Sequence, residues 1–265
     1  VPGIMMRNGI DVLNTGNIAP FYVPKKLVAT IKTMHAFTTP ADLPASVGIY
    51  RRVVGRLTAR RANVLIANSE ANKKDIVSYF KVEPGKVRIV YEAVDHERFF
   101  PVEERSQVLD RLGRLGIRSP YLLFVSSLWR YKNVEVLLRA FRTVKESYTE
   151  HTLVIAGHVP DPDYKLRLVV LAGELGLSKH VSFIGGVAHE EIPWLYRGAD
   201  MLVYPSRYET FGLPLPEAMA CGCPVIVSNV SSLPEIAGDA ALKFEPEDDG
   251  VLADCIRQVL QVPSL

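Results

Sequence analysis

Cysteine is scarce in this chain: Cys221, Cys223 and Cys255 are the only three among 265 residues. So odd and sparse a set excludes a disulfide framework and makes a reducing compartment, the cytoplasm, the expected location. Two sulfurs at Cys221-x-Cys223 cannot complete a zinc site without further ligands, and they read as small residues buried between a helix and a strand. Charge of one sign is lacking too, with 31 basic residues against 29 acidic ones. No broad electrostatic field draws nucleic acid, and none is expected as a partner. No apolar run approaches the length of a membrane span. The start, Val1-Pro2-Gly3, shows neither an initiator methionine nor the basic-then-apolar pattern of a signal peptide. Both ends read as cut, so a longer parent protein is expected. Internal repeats and low-complexity segments are absent.

What is present is alternation. Short apolar runs rich in Val, Ile, Leu and Tyr predict strands at 27–33, 64–67, 87–91, 121–126, 152–156, 181–184, 201–204 and 224–228. Helical spacing predicts helices at 69–80, 103–115, 133–148, 189–198 and 247–260, the first with a Ser69 cap. Strands that are apolar throughout, alternating with helices, imply an α/β fold with parallel sheets covered on both faces. Phe99-Phe100-Pro101 and Ser119-Pro120 punctuate the chain. They divide it into a partial first domain (1–100), a linker carrying a helix (101–119) and a second doubly wound domain (120–265). Three strands before residue 100 are few for a free-standing parallel sheet, so the first domain is expected to be incomplete.

The most informative stretch is Glu209-Thr210-Phe211-Gly212-Leu213-Pro214-Leu215-Pro216-Glu217. Two carboxylates flank a run with a glycine, two prolines and no other charge, after an apolar strand and before a small-residue helix. A strand–turn–helix junction is a common phosphate site. The carboxylates would repel a phosphate and suit hydroxyls instead, so the segment suggests a phosphate flanked by polyols, as in a nucleotide sugar. On spacing alone, two ordinary surface acids explain the pattern about as well.

Three other places lie on the same predicted rim, outside the carboxyl ends of the strands where ligands of open α/β sheets bind. Arg130 and Lys132 follow the strand at 121–126, and two cations there suit a diphosphate, Arg130 bidentately and Lys132 as a point charge. Gly157 ends the next strand, and Gly185, Gly186 and Val187 end the one after; glycine there admits a flat ring. Each feature alone reads as a loop cation or a turn glycine, and their coincidence on one rim raises the functional reading. Elsewhere, Arg51, Arg52, Arg56, Arg60 and Arg61 cluster on one helix candidate, with Lys25 and Lys26 upstream. A solvated basic face is the simpler account, and peripheral contact with an anionic membrane or a lipid-diphosphate acceptor is the alternative.

With these residues in view, the chain resembles the GT-B-fold retaining glycosyltransferases of family 4 (glycosyl transferases group 1). The resemblance runs from Ala67-Asn68-Ser69-Glu70 and Asp95 to Phe99, through Arg130-Tyr131-Lys132-Asn133, to Tyr204 through Ala220, Gly222 to Ser228 and Leu233 to Ala241. It implies two Rossmann-like domains facing a cleft. It implies that Glu209, with backbone amides around Phe211, Gly212 and Leu213, holds the donor sugar, and that Glu217 binds the ribose. Arg130 and Lys132 would neutralise the leaving diphosphate, Gly157 and Gly185 to Val187 would frame the nucleobase, and His35 would stand near the donor sugar. The implied partners are a nucleotide-sugar donor and a glycan or lipid-linked acceptor, with no cofactor or metal, because the cations stabilise the leaving group. Where many members carry Gly-Arg this chain has Ser126 and Ser127, so Arg130 must supply the guanidinium. The family's Gly-rich first loop and its closing C-terminal helix are missing. Alternatives are a GT-B sugar epimerase or a nucleotide-sugar-binding relative without transfer.

Overall fold

The computed structural model describes residues 1–102 and 104–261, and the chain divides into two compact units, Val1–Glu92 and Ala93–Leu265. The first unit is built on a sheet of four strands in sequential order, β1 (Val12–Thr15), β2 (Lys26–Ile31), β3 (Val64–Ala67) and β4 (Val87–Ile89), all parallel. Its helices are α1 (Pro2–Arg7), α2 (His35–Thr38), α3 (Ala45–Arg61) and α4 (Glu70–Phe80). Ser69 caps α4 as expected: its hydroxyl accepts the Asn72 N–H at 3.0 Å, which satisfies one orphan donor of the first turn. The Asn72 side chain then donates to the Ile31 carbonyl at 2.7 Å and ties α4 to the end of β2.

The second unit carries six parallel strands. In chain order its elements are α5 (Arg105–Arg114), β5 (Tyr121–Val125), α6 (Val134–Val144), β6 (Thr152–Ala156), α7 (Pro162–Glu174), β7 (Val181–Gly185), α8 (Ile192–Gly198), β8 (Met201–Tyr204), α9 (Pro214–Ala220), β9 (Val225–Ser228), α10 (Leu233–Ala237), β10 (Ala241–Phe244) and α11 (Asp249–Gln261). The strand order is β10-β9-β8-β5-β6-β7. Successive residues of a strand point to opposite faces, and here both faces are dry. Leu122, Phe124, Leu153, Ile155, Met201 and Val203 pack with α6, α7 and α11 on one side. Tyr121, Leu123, Val125, Val154 and Leu202 pack with α5, α8 and α9 on the other. That is why these strands read as continuous apolar runs.

The expected linker at 101–119 belongs physically to the second unit. Val108 and Leu112 of α5, with Ile117, are buried in the same core as Tyr121 and Leu195, so the division falls between residues 92 and 93 rather than at 100. Glu103, the expected first residue of that helix, lies outside the described residues. Strands β1 and β10 and helices α1, α2, α7 and α10 are additional to the expected set. His35 does not end a strand: β2 stops at Ile31, and His35 opens the short helix α2. Among the described residues no helix is long and apolar enough to cross a membrane.

Candidate functional site

In the six-stranded sheet the chain starts at β5, runs outward through β6 and β7, and returns to the other side of β5 as β8. The loops leaving β5 and β8 therefore diverge from neighbouring carboxyl ends, a topological switch point where open α/β sheets leave a crevice. The β5 loop carries Arg130 to Lys132, a short 3-10 turn, and the β8 loop carries Ser206 to Leu213. A backbone hydrogen bond from the Arg207 N–H to the Tyr131 carbonyl (2.7 Å) joins the two loops.

This junction brings Lys132 and Glu209 together. Both are buried, and they form an ion pair whose ammonium also donates to the Tyr204 hydroxyl at 2.9 Å. A buried charge needs such a partner, because desolvation of an isolated one is costly. Burial, with the Glu209 carboxylate close by, pushes the Tyr204 phenol far above its usual range, so Tyr204 stays a neutral acceptor for the lysine. The Glu209 carbonyl is held by the Ser232 hydroxyl at 3.0 Å, from the residue that precedes α10. Glu209 is thereby fixed at its backbone and at its side chain.

Glu217 lies in the first turn of α9 and is buried apart from that pair, where its carboxylate accepts the Tyr196 hydroxyl at 3.1 Å. Burial raises its pKa to about 7, against smaller opposing effects of the Tyr196 hydrogen bond and Arg98. The α9 start does not offer the open N–H groups expected of a phosphate site. Pro214 and Pro216 have none, and the Leu215 and Glu217 N–H groups go to the Gly212 and Leu213 carbonyls at 3.0 and 3.2 Å. Gly212 occupies φ +87°, and a Cβ there would stand 2.7 Å from Leu233 Cδ2, so the turn that carries Phe211 to Leu213 requires glycine.

Arg130 is engaged differently from Lys132. Its guanidinium bonds Asp161 at 3.0 and 3.1 Å and lies over the Tyr164 ring. Asp161 also caps α7 by accepting the Tyr164 N–H at 3.0 Å; that bond first, and Arg130 with it, holds its pKa low. Asp161-Pro162-Asp163 has the Asp-x-Asp spacing often seen around metals, but Asp161 is committed here to a cap and an ion pair. Among the described residues no three His, Cys, Asp or Glu side chains converge as a metal site.

Gly157 and Gly185 stand where expected, just after β6 and at the end of β7. At φ +147° a Cβ on Gly157 would lie 1.8 Å from the Ser126 carbonyl oxygen, so the β5 and β6 loops touch only because this residue has no side chain. Gly186 lies under the His158 imidazole, with its Cβ direction 2.7 Å from Cε1. Val187 is packed beside the core that holds Tyr121 and Tyr196. His35 lies in the first unit, lining a pocket of about 190 Å³ with Asn17, Thr33, Phe37 and Arg51. Cys221 and Cys223 flank the α9–β9 turn, both buried, and burial lifts the Cys221 thiol to about 11 and the Cys223 thiol further.

Sequence reasoning missed the partners: Tyr204 for Lys132, Tyr196 for Glu217, Asp161 for Arg130 and His158 over Gly186. Asp161 had a legible signal, an Asp-Pro step of the kind that opens helices. The tyrosines had none beyond a polar tip at the end of an apolar run.

A doubly wound parallel sheet with a buried ion pair at its switch point has the architecture of the open α/β units, in which ligands bind outside the carboxyl ends of the strands. Residues 114–265 match the model of the glycosyl transferases group 1, and residues 1–98 match that of glycosyltransferase family 4. The chain belongs to this family of GT-B glycosyltransferases. It is 30% identical to the O-antigen chain mannosyltransferase B of Escherichia coli over 91% of its own length, and spans 64% of that protein. In structure it resembles the sucrose-phosphate synthase of Thermosynechococcus elongatus (TM-score 0.78, 24% identity, 98% of this chain and 67% of that one). It also resembles the Anabaena protein HepE in complex with UDP-glucose (TM-score 0.77, 22% identity, 89% and 63%).

Proposed function

We propose that this chain belongs to a metal-independent retaining glycosyltransferase that moves a hexose, of mannose or glucose type, from a nucleotide-diphosphate sugar to a hydroxyl of a glycan or lipid-linked acceptor. The observation that carries this reading is the buried Lys132–Glu209 pair at the β5/β8 switch point. A lysine there is a fixed cation for a leaving diphosphate, and a carboxylate beside it accepts hydrogen bonds from sugar hydroxyls. When the anomeric C–O bond breaks, the electron pair goes to the diphosphate and positive charge develops on the sugar. Lys132 neutralises the first by preorganised electrostatics, and Arg130 adds to it if it leaves Asp161. The acceptor oxygen bonds to the anomeric carbon on the face from which the diphosphate departs, and a diphosphate oxygen takes its proton, which gives retention. Glu217 takes the ribose hydroxyls. The ends of β6 and β7, at Gly157 and Gly185 to Val187, take the base. The first unit brings the acceptor, and its His35 serves the donor sugar. A mannosyltransferase relative and a neighbour bound to UDP-glucose support this assignment of ligand class.

The test is donor turnover by the full-length parent protein. Release or transfer of sugar from a nucleotide-diphosphate sugar, falling at least about a hundredfold in Glu209→Ala, is the expected result. Nucleotide binding with no sugar released or moved would favour a binding relative without transfer. A changed sugar retained on its nucleotide would favour an epimerase.

A further inference from the structure

Three cations stand on the β5 and β8 loops, and each holds a carboxylate: Lys132 pairs with Glu209, Arg130 with Asp161 and Arg207 with Glu247. The pairs differ in depth. The Lys132 and Glu209 side chains are 6% and 11% exposed, and separating them would strand a buried charge. Arg130 and Asp161 are 41% and 27% exposed, so water screens their attraction and the pair exchanges at small cost. Asp161 divides its oxygens between two tasks. Oδ1 accepts the Tyr164 N–H and caps α7, while Oδ2 alone accepts Arg130, from Nε at 3.1 Å and Nη2 at 3.0 Å. The cap therefore does not need Arg130. Nor does the β5 loop need Asp161. Its backbone is held by the Lys132 N–H on the Trp129 carbonyl (2.9 Å), the Asn133 N–H on the Arg130 carbonyl (3.1 Å) and the Arg207 N–H on the Tyr131 carbonyl (2.7 Å). When the Arg130–Asp161 pair opens, only side chains have to move.

Asp161 precedes α7 on the β6 side of β5, whereas Glu209 follows β8 on the other side, so the two carboxylates draw neighbouring cations apart. Arg130 and Lys132 are nevertheless the two ends of one 3-10 turn, with Cα atoms about 5 Å apart, and one diphosphate can meet both side chains. We propose, on the donor reading above, that Asp161 is an internal competitor for the donor's diphosphate: in the empty chain it occupies Arg130, and the incoming diphosphate takes the guanidinium from it. Carboxylate and phosphate accept the same N–H fork, and the diphosphate brings the greater negative charge. While Asp161 stands beside the cation, its own charge also opposes the approach of the anion. Asp161 thus lowers the affinity of the site for its ligand, and removing its charge should raise it.

The experiment is calorimetric titration of the chain with UDP, GDP and ADP, in the wild type and in Asp161→Asn. Asparagine caps a helix as well as aspartate does and presents an amide N–H to Arg130 where Oδ2 stood, so the cap stays and the pair is lost. The expected result is that the nucleotide bound by the wild type binds about three- to tenfold more tightly to Asp161→Asn. Asp163→Asn removes the same charge two residues on and should change affinity by less than about twofold. The gain from Asp161→Asn should vanish when Arg130→Gln is the background. Circular dichroism checks folding, and if the asparagine variant does not fold, Asp161→Ser, another cap without charge, decides. Nucleotide binding that the folded variant leaves unchanged or weakens overturns the proposal and leaves the donor reading standing. So does a gain that Asp163→Asn shares or that persists without Arg130. Absence of nucleotide binding in the wild type and in every variant overturns the donor reading and the proposal with it.

Discussion

Replacing Glu217 by glutamine keeps the shape and the Tyr196 contact but removes a carboxylate that burial makes reluctant to ionise. In the folded chain that group titrates at about 7, against an ordinary value of 4.5. Between those two pH values the folded chain holds more protons than the unfolded one. The contribution of Glu217 to stability therefore falls as pH rises from about 4.5 to about 7, and the full cost is in place above that range. At about 1.36 kcal/mol per unit the interval corresponds to about 3.4 kcal/mol, which screening at an incompletely enclosed group reduces to about 1–2 kcal/mol. Denaturant unfolding of both proteins at pH 5 and pH 8 reads this directly: the Gln variant should gain about 1–2 kcal/mol on the wild type between the two. A ribose whose hydroxyls donate to Glu217 binds the ionised form, so binding releases a proton and nucleotide affinity should rise with pH up to about 7. Parallel stability profiles would refute the buried-carboxylate account, and so would a variant that becomes relatively weaker at pH 8.

Two further perturbations address the same rim. Lys132→Met strands Glu209 and Tyr204 in a buried site and should cost about 3–5 kcal/mol. The double variant Lys132→Met/Glu209→Gln should cost at least about 1 kcal/mol less than the sum of the singles, and strict additivity in denaturant unfolding would contradict the pairing. Gly157→Ala forces a Cβ into the Ser126 carbonyl and should cost about 3 kcal/mol or more. Gly173→Ala in α7, where the nearest atom would be Ser178 Oγ at 3.7 Å, should instead stabilise by about 0.5–1 kcal/mol. Equal effects of the two alanines would refute the close-approach reading.

The second sheet was legible in the sequence because strands buried on both faces leave uninterrupted apolar runs. Strands β1 and β10 were not. Val12-Leu13-Asn14-Thr15 and Ala241-Leu242-Lys243-Phe244 are four-residue edge strands, half-buried, each with a polar residue inside. Helix α7 was hidden because Asp161-Pro162-Asp163 reads equally as a turn until the cap is seen. The rim was legible from residue types at strand ends, and the glycines after β6 and β7 lie there. The division of labour between the two cations was not. Arg130 and Lys132 are neighbours in sequence, yet one pairs with Asp161 and the other with Glu209, far along the chain. Only the strand order, which sets β8 against β5, decides that.

The central claim is that the second unit receives a nucleotide-diphosphate sugar at the β5/β8 switch point. The most direct measurement is thermal unfolding of this chain against a panel of UDP, GDP and ADP sugars. A ligand at a hundredfold excess over its Kd stabilises the folded state by about 2.7 kcal/mol. The account predicts a rise in Tm with at least one of them, lost in Lys132→Ala and reduced in Glu217→Ala. No shift with any member of the panel would contradict it, and so would a shift that both alanine variants retain in full.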